Sequence, residues 1–286
     1  MSKIAVIGIA GESVFLTLDA FGKVGETVTA SALHRELGGK GFNQAVAAAR
    51  YGCACAFLGA VHKDDVARFS AIALERGVTP YFVPKEDESP YAVITTDASG
   101  DNCVSVYRGA VLDERDVDAF AHEIASADLL LLNNEVPHAV NERAVEIAKE
   151  NGVFMLLNPA PARAYSAEFL KKIDLFTPNE HETEGLDGFD NVVLTLGKRG
   201  AKIVSTGEII PAVDAGDAVD TTGAGDTFTG VLAAATAAGL SLRDACKRAS
   251  VAAAIKVSRK YILDSIPSIK EIENFEREQK NGSDVF

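Results

Sequence analysis

Residues 220–230 read DTTGAGDTFTG, two Asp residues separated only by Thr, Gly and Ala, directly before an Ala-rich run. Such a stretch is a loop feeding a helix: Gly permits backbone turns closed to other residues, and the apolar run over 224–238 has the length of a helix. If the helix starts within Gly223, Ala224 and Gly225, its first amides lack intrahelical acceptors and form an anion hole that needs no side chains. Asp226 then sits beside that hole. An acid there fits helix capping. It also fits a base that takes a proton from a hydroxyl while the amides stabilise charge on a transferred phosphoryl group. The stretch alone leaves both open.

Outward from this loop, short apolar runs alternate with longer amphipathic ones, the pattern of strands and crossover helices in a mostly parallel sheet covered on both faces. Strands are expected over 4–9, 56–61, 129–132, 153–157, 175–176 and 192–196. Helix-period residues fall over 43–50, 64–75, 116–124, 138–150 and 167–172, and the last third reads as two helices, 224–238 and 242–260, divided by Gly239 and the N-cap Ser241. Two stretches break the alternation, 14–33 and 91–107, the second around the turn-like ASGDN. They suit an antiparallel lid, from about 11–34 and 89–108, within one domain spanning 1–286. The charged tail after Phe275 is expected to fray.

The chain has 286 residues, 47% of them apolar and 24% charged, enough for a sizeable core. A formal net charge of −13 disfavours a sequence-independent grip on nucleic acid, so the expected partners are small molecules. The four Cys (Cys53, Cys55, Cys103, Cys246) lack metal-like spacing and read as reduced thiols. The opening KIAVIGIAG reads as a buried strand rather than a signal peptide. No run approaches the roughly 20 apolar residues that span a bilayer, and cytoplasmic residence is the default.

Ligands of open α/β sheets bind outside the carboxyl ends of strands, which directs attention to two further loops. LGGKGFNQAVAAARYG (37–52) offers a close-approach backbone at Gly39 and donors at Lys40 and Asn43, although a glycine turn before a helix is also ordinary structure. LFTPNEHETEGL (175–186) puts Asn179 and Glu182 on one face if a helix begins near Pro178, where acids in the first turn are also unremarkable. A functional Glu182 would help hold hydrated Mg²⁺, which prefers few carboxylates plus phosphate oxygens.

In order, GGKGFNQA, LNPAPA (157–162), TPNEHE, LTLGKRG (194–200) and DTTGAGDTFTG resemble the signatures of the ribokinase-like, or PfkB, family of sugar kinases, over nearly the whole chain from Ile4 to Pro267. The resemblance implies a three-layer α/β sandwich with a mostly parallel central sheet and a small β-lid. It implies a kinase using ATP and Mg²⁺ on a primary hydroxyl of a small sugar, with K⁺ as a candidate activator. Asp226 matches the family's base, and Gly223, Ala224 and Gly225 its anion hole. Gly39, Lys40, Asn43 and Glu135 match sugar-holding positions. Asn179 and Glu182 match the pair governing phosphate and Mg²⁺, the latter through water. Thr195, Gly197 and Gly200 match a loop along the nucleotide. Ser250 matches a residue near the adenine, although a helix-surface Ser is the plainer expectation. Asp220 and Ser265 match a monovalent-cation site.

Two departures stand out. The family's Asn-x-Asp pair, which reads sugar hydroxyls, falls here on Gly11 and Ser13, with Glu12 between them as a candidate substitute. That change alters which hydroxyls are read, so the resemblance gives a sugar class rather than ribose in particular. Tyr261 stands where relatives place Gly at the cation loop. Nucleoside or sugar-acid kinase, and a non-catalytic sugar-binding regulator, are the alternatives. Exposed lid edges also make a homodimer through the lid a candidate assembly.

Overall fold

The computed structural model describes residues 1–99 and 101–283; Gly100 of the ASGDN turn and residues 284–286 of the tail lie outside the described residues. In chain order its elements are β1 Lys3–Ile7, β2 Gly11–Thr17, β3 Ala32–Gly38, α1 Lys40–Tyr51, β4 Ala54–His62, α2 Val66–Glu75, β5 Val78–Lys85, β6 Tyr91–Thr96 and β7 Asn102–Tyr107. There follow α3 Glu114–Ala119, α4 Ala121–Ala125, β8 Leu129–Asn133, α5 His138–Glu150, β9 Phe154–Asn158, α6 Ala167–Leu170, β10 Leu175–Phe176, β11 Val193–Thr195, β12 Ala201–Ile203 and β13 Ile209–Ile210. Helices α7 Ala224–Ala237, α8 Leu242–Val257 and α9 Ile269–Ser283 close the chain.

The central sheet runs β10-β9-β8-β1-β4-β5, parallel throughout. Its strands are apolar on both faces because both are covered. In β1, Ile4 and Val6 enter one core, shared with α1, α2, α7 and α8, while Ala5 and Ile7 enter the other, beneath α3 to α6. This is the expected three-layer α/β sandwich. The chain leaves β1 toward β4 on one side and returns to β8 on the other, so the ends of β1 and β8 flank a topological switch point.

A second sheet, β3-β2-β6-β7, projects from the first as a lid. It is mixed rather than antiparallel: each hairpin pairs antiparallel, but β2 and β6 join the hairpins in parallel, and β3 continues to Gly38. Other expectations shift for local reasons. Strand β5 carries Pro80 and Pro84, which disguise it in sequence and are tolerated because β5 is an edge. The helix expected near Pro178 is absent; residues 178–188 form turns, with positive φ at Gly185 and Gly188. The stretch after Phe275 continues as α9 to Ser283, and Ser268 and Glu271 cap the start of that helix reciprocally.

Candidate active site

Helices α1 and α7 cross at close range. A Cβ on Gly230 would lie 2.4 Å from the Gln44 carbonyl oxygen, so glycine is required there for the contact. This crossing brings the start of α1 against Asp226, which is 8% exposed. The Asn43 amide donates to Asp226 Oδ2 at 2.9 Å, and Gln44 Nε2 donates to Oδ1 at 3.2 Å. Gln44 Nε2 also donates to Asn158 Oδ1 at 3.1 Å, and Asn158 in turn donates to the Thr177 carbonyl at 2.6 Å. Neutral amides therefore orient the carboxylate without cancelling its charge.

Lys40 lies in the field of that carboxylate: Asp226 holds its ammonium above the ordinary lysine range, with help from Glu135 and Glu182 and against burial. Glu135, after β8, accepts the Lys40 backbone amide at 2.8 Å. Burial pushes the Glu135 carboxyl up to about 7; nearby Asp226 adds to the rise, while Lys40 and the Lys40 and Gly41 amides oppose it. Two polar atoms in this cluster, Asn43 Oδ1 and Gln44 Oε1, are buried with no partner among the described residues. Such orphans are costly unless something fills them.

At the start of α7, Gly223 has φ 75°, and a Cβ there would strike Ile262 at 2.8 Å. A Cβ on Gly225 would meet nothing within 4 Å, so packing within the described residues does not require its small size. The Ala224 amide donates to the Thr221 carbonyl at 3.2 Å, which leaves Gly225 and Asp226 within α7, and Gly223 just before it, as the amides without an acceptor among the described residues.

The remaining expected residues are placed as follows. Glu182 Oε2 accepts the Asn179 amide at 3.0 Å in a closed turn, and Thr195 donates its hydroxyl to the Pro178 carbonyl at 3.1 Å. Gly197 lies open, while Gly200 turns tightly against Ile210. Ser250 is not on a helix surface: it is 6% exposed, and its hydroxyl has no partner among the described residues. Gly39 caps α1, Gly11 presses on Pro90, and buried Ser13 directs its hydroxyl toward Gly38. Glu12 is engaged outward by Arg35 and Arg68, so it does not turn in to replace the missing acid.

Asp220 is held quite differently. Its Oδ1 accepts the Thr222 amide at 2.9 Å and its Oδ2 the Tyr261 amide at 3.0 Å, while its carbonyl accepts from Lys256 Nζ at 2.8 Å. Tyr261 keeps φ 65° although it is not glycine, braced by stacking on His34 of the lid at 3.6 Å between ring centroids. Glu36 of β3 accepts the Ile262 and Leu263 amides, each at 2.9 Å, and ties the lid to the same loop. The Ser265 hydroxyl lies within hydrogen-bond distance of the Lys260, Tyr261 and Ile262 carbonyls, with one proton to donate among them. A cleft of about 410 Å³ opens between the lid tips and residues 218–222, aside from Asp226.

The family model described as "pfkB family carbohydrate kinase" matches residues 1–269. The chain belongs to that family. It is a phosphotransferase acting on an alcohol acceptor. It is 34% identical to the ribokinase of Haemophilus influenzae, covering 95% of this chain and 97% of that one. It is 32% identical to the deoxyribokinase of Salmonella typhi, covering 95% and 98%. The structure of Arabidopsis thaliana ribokinase complexed with ribose and ATP superposes with a TM-score of 0.82 at 26% identity, covering 96% and 98%.

Four members of these clusters were not anticipated as site residues: Gln44, Asn158, Glu36 and Lys256. The first two lie inside quoted motifs, and Gln44 is a polar side chain directly before the run AVAAA on the buried part of α1. Lys256 follows Ala249 and Ala252 on the buried face of α8, a core position by helical spacing.

Proposed function

We propose that this kinase transfers the terminal phosphoryl group of ATP to a primary hydroxyl of a small neutral sugar, with Asp226 as the base. The observation that carries this is the juxtaposition of an amide-oriented Asp226 with two unengaged amides at the start of α7. Asp226 removes the hydroxyl proton as the sugar oxygen bonds to phosphorus, and the bond from phosphorus to the departing ADP oxygen breaks. The Gly225 and Asp226 amides, together with the Lys40 ammonium, stabilise charge on the transferring group. The open space at Gly225 lets a phosphate reach these amides.

Glu182 and Asp226, two of the three carboxylates around Lys40, suit Mg²⁺ held mostly through water and phosphate. Among the described residues there is no group of three or more His, Cys, Asp or Glu that could hold a metal ion. When bound, Mg²⁺ would neutralise phosphate charge and align the oxygens.

A neutral substrate is favoured by charge. Three carboxylates surround one ammonium, and the orphaned Asn43 Oδ1 wants a hydroxyl donor rather than another acid. That argues against sugar acids and sugar phosphates. We further read the enzyme as cytoplasmic, where ATP is available; no helix among the described residues is long and apolar enough to cross a membrane. Apolar side chains left exposed on the lid, Leu33, Val104, Val106 and Tyr107, support pairing of two lids in a homodimer, which sedimentation would test.

ADP release with MgATP across pentoses, deoxypentoses, hexoses, sugar acids and nucleosides tests the substrate class. Turnover confined to a neutral sugar is expected. Preference for a sugar acid or nucleoside would replace that class, and thermal stabilisation without turnover would indicate a sugar-binding regulator.

A further inference from the structure

Lys256 has no part in the mechanism above, yet its side chain is 0% exposed. Its ammonium donates to the Asp220 carbonyl at 2.8 Å and lies 4.0 Å from Asp220 Oδ2. Burial lowers its pKa from the ordinary lysine value, while Asp220, Glu36 and Asp226 push it back up. A charge so placed must be compensated, and these acids surround it. The loop it grips leads directly to Gly223, against which Ile262 of the opposite loop packs. One ammonium therefore fastens both the approach to the anion hole and the loop behind it.

The resemblance led us to expect Asp220 and Ser265 to hold a free monovalent cation, and the residues present do not fit one. The Asp220 carbonyl already receives an ammonium, and both carboxylate oxygens receive backbone amides. The Ser265 hydroxyl turns its one proton toward the carbonyls of Lys260, Tyr261 and Ile262 in its own loop. A cation bound at the Asp220 carbonyl would stand against the Lys256 ammonium, two like charges in a partly buried setting.

We propose that the Lys256 side chain is a tethered replacement for that cation, fixing Asp220 and the start of α7 so that phosphoryl transfer needs no free monovalent ion. Lys256 is thus a positioning residue, acting on the amides through the Asp220 backbone. A tethered charge also avoids the translational entropy lost when a free ion binds.

The test measures ADP release and, separately, the melting temperature of the ligand-free protein, in potassium, ammonium, sodium and choline chloride at one ionic strength. The wild type should give the same kcat and the same melting temperature in potassium as in choline. Lys256→Ala should melt on the order of 10 °C lower in choline. Its kcat should fall by about 10–100-fold with little change in KM. Potassium or ammonium should restore both selectively, because the truncation opens a space lined by the Asp220 oxygens. Lys256→Met, which fills that space without charge, should lose rate and gain nothing from either ion.

A wild type activated or stabilised by potassium over choline would overturn the proposal, as would a folded Lys256→Ala indifferent to every ion. Should the variants not fold in any salt, the wild-type comparison decides alone. The melting arm needs neither sugar nor nucleotide, so it remains readable if the substrate class proposed above is wrong.

Discussion

Asp220 and Asp226 bracket one loop and differ in everything else. Asp226 is oriented by the side-chain amides of Asn43 and Gln44, which leave its charge uncancelled, as the base proposed above requires. Asp220 is bound by backbone amides on both oxygens and by the buried Lys256 ammonium at its carbonyl. A reactive carboxylate needs orientation without neutralisation, whereas a structural one needs its charge met. Residue type does not separate these duties; the partners do.

The largest effect expected from breaking this contrast is on rate. Asp226→Asn should lower kcat by roughly 10²–10⁴-fold, since the base is gone. It should cost only about 1 kcal/mol of stability, because one amide donor then faces another. Asp220→Asn should show the reverse balance. With its partner for Lys256 weakened, urea denaturation should find it about 2–3 kcal/mol less stable, below the full cost of breaking a buried pair because Asp220 is partly exposed. Its kcat should fall less than that of Asp226→Asn.

Glu135 sharpens the contrast through pH. Its folded pKa, about 7, stands above the ordinary 4.5, so the folded protein binds the extra proton between those values. The resulting stability is present below about pH 4.5 and is lost as pH rises through about 7, by about 3 kcal/mol. Urea midpoints of the wild type should therefore fall relative to Glu135→Gln across that window; a rise would contradict the assignment. The smallest effect should come from Gln44→Leu, which strips a donor from Asp226 and Asn158 and should cost about 1–2 kcal/mol. Some loss of kcat should accompany it as Asp226 loses one of its two guides.

The contrast also marks what sequence can show. Asp226, Gly223 and Gly225 are legible because a helix start is local chemistry, carried by adjacent residues. The sheet is legible because strands buried on both faces are apolar runs. The Asp220 side is not, because Glu36, Asp220, Lys256 and Tyr261 meet only through the packing of lid, α7 and α8. Lys256 could have been noticed as a charge at a core position of α8, but its partner could not have been named. Strand β5 was hidden by prolines that an edge accepts, and α9 by a charged surface that masked its Ser268–Glu271 cap. The Asn179–Glu182 spacing reads equally as a helix or a closed turn, and turn-forming glycines after it decided the outcome.

The central claim is that Asp226 is the base of a sugar kinase. It is tested most directly by single-turnover phosphoryl transfer from MgATP to the best sugar of the panel, wild type against Asp226→Asn, with melting curves of both. The account predicts transfer slowed by roughly 10²–10⁴-fold in a variant that remains folded. Transfer at near wild-type rate in Asp226→Asn would contradict it.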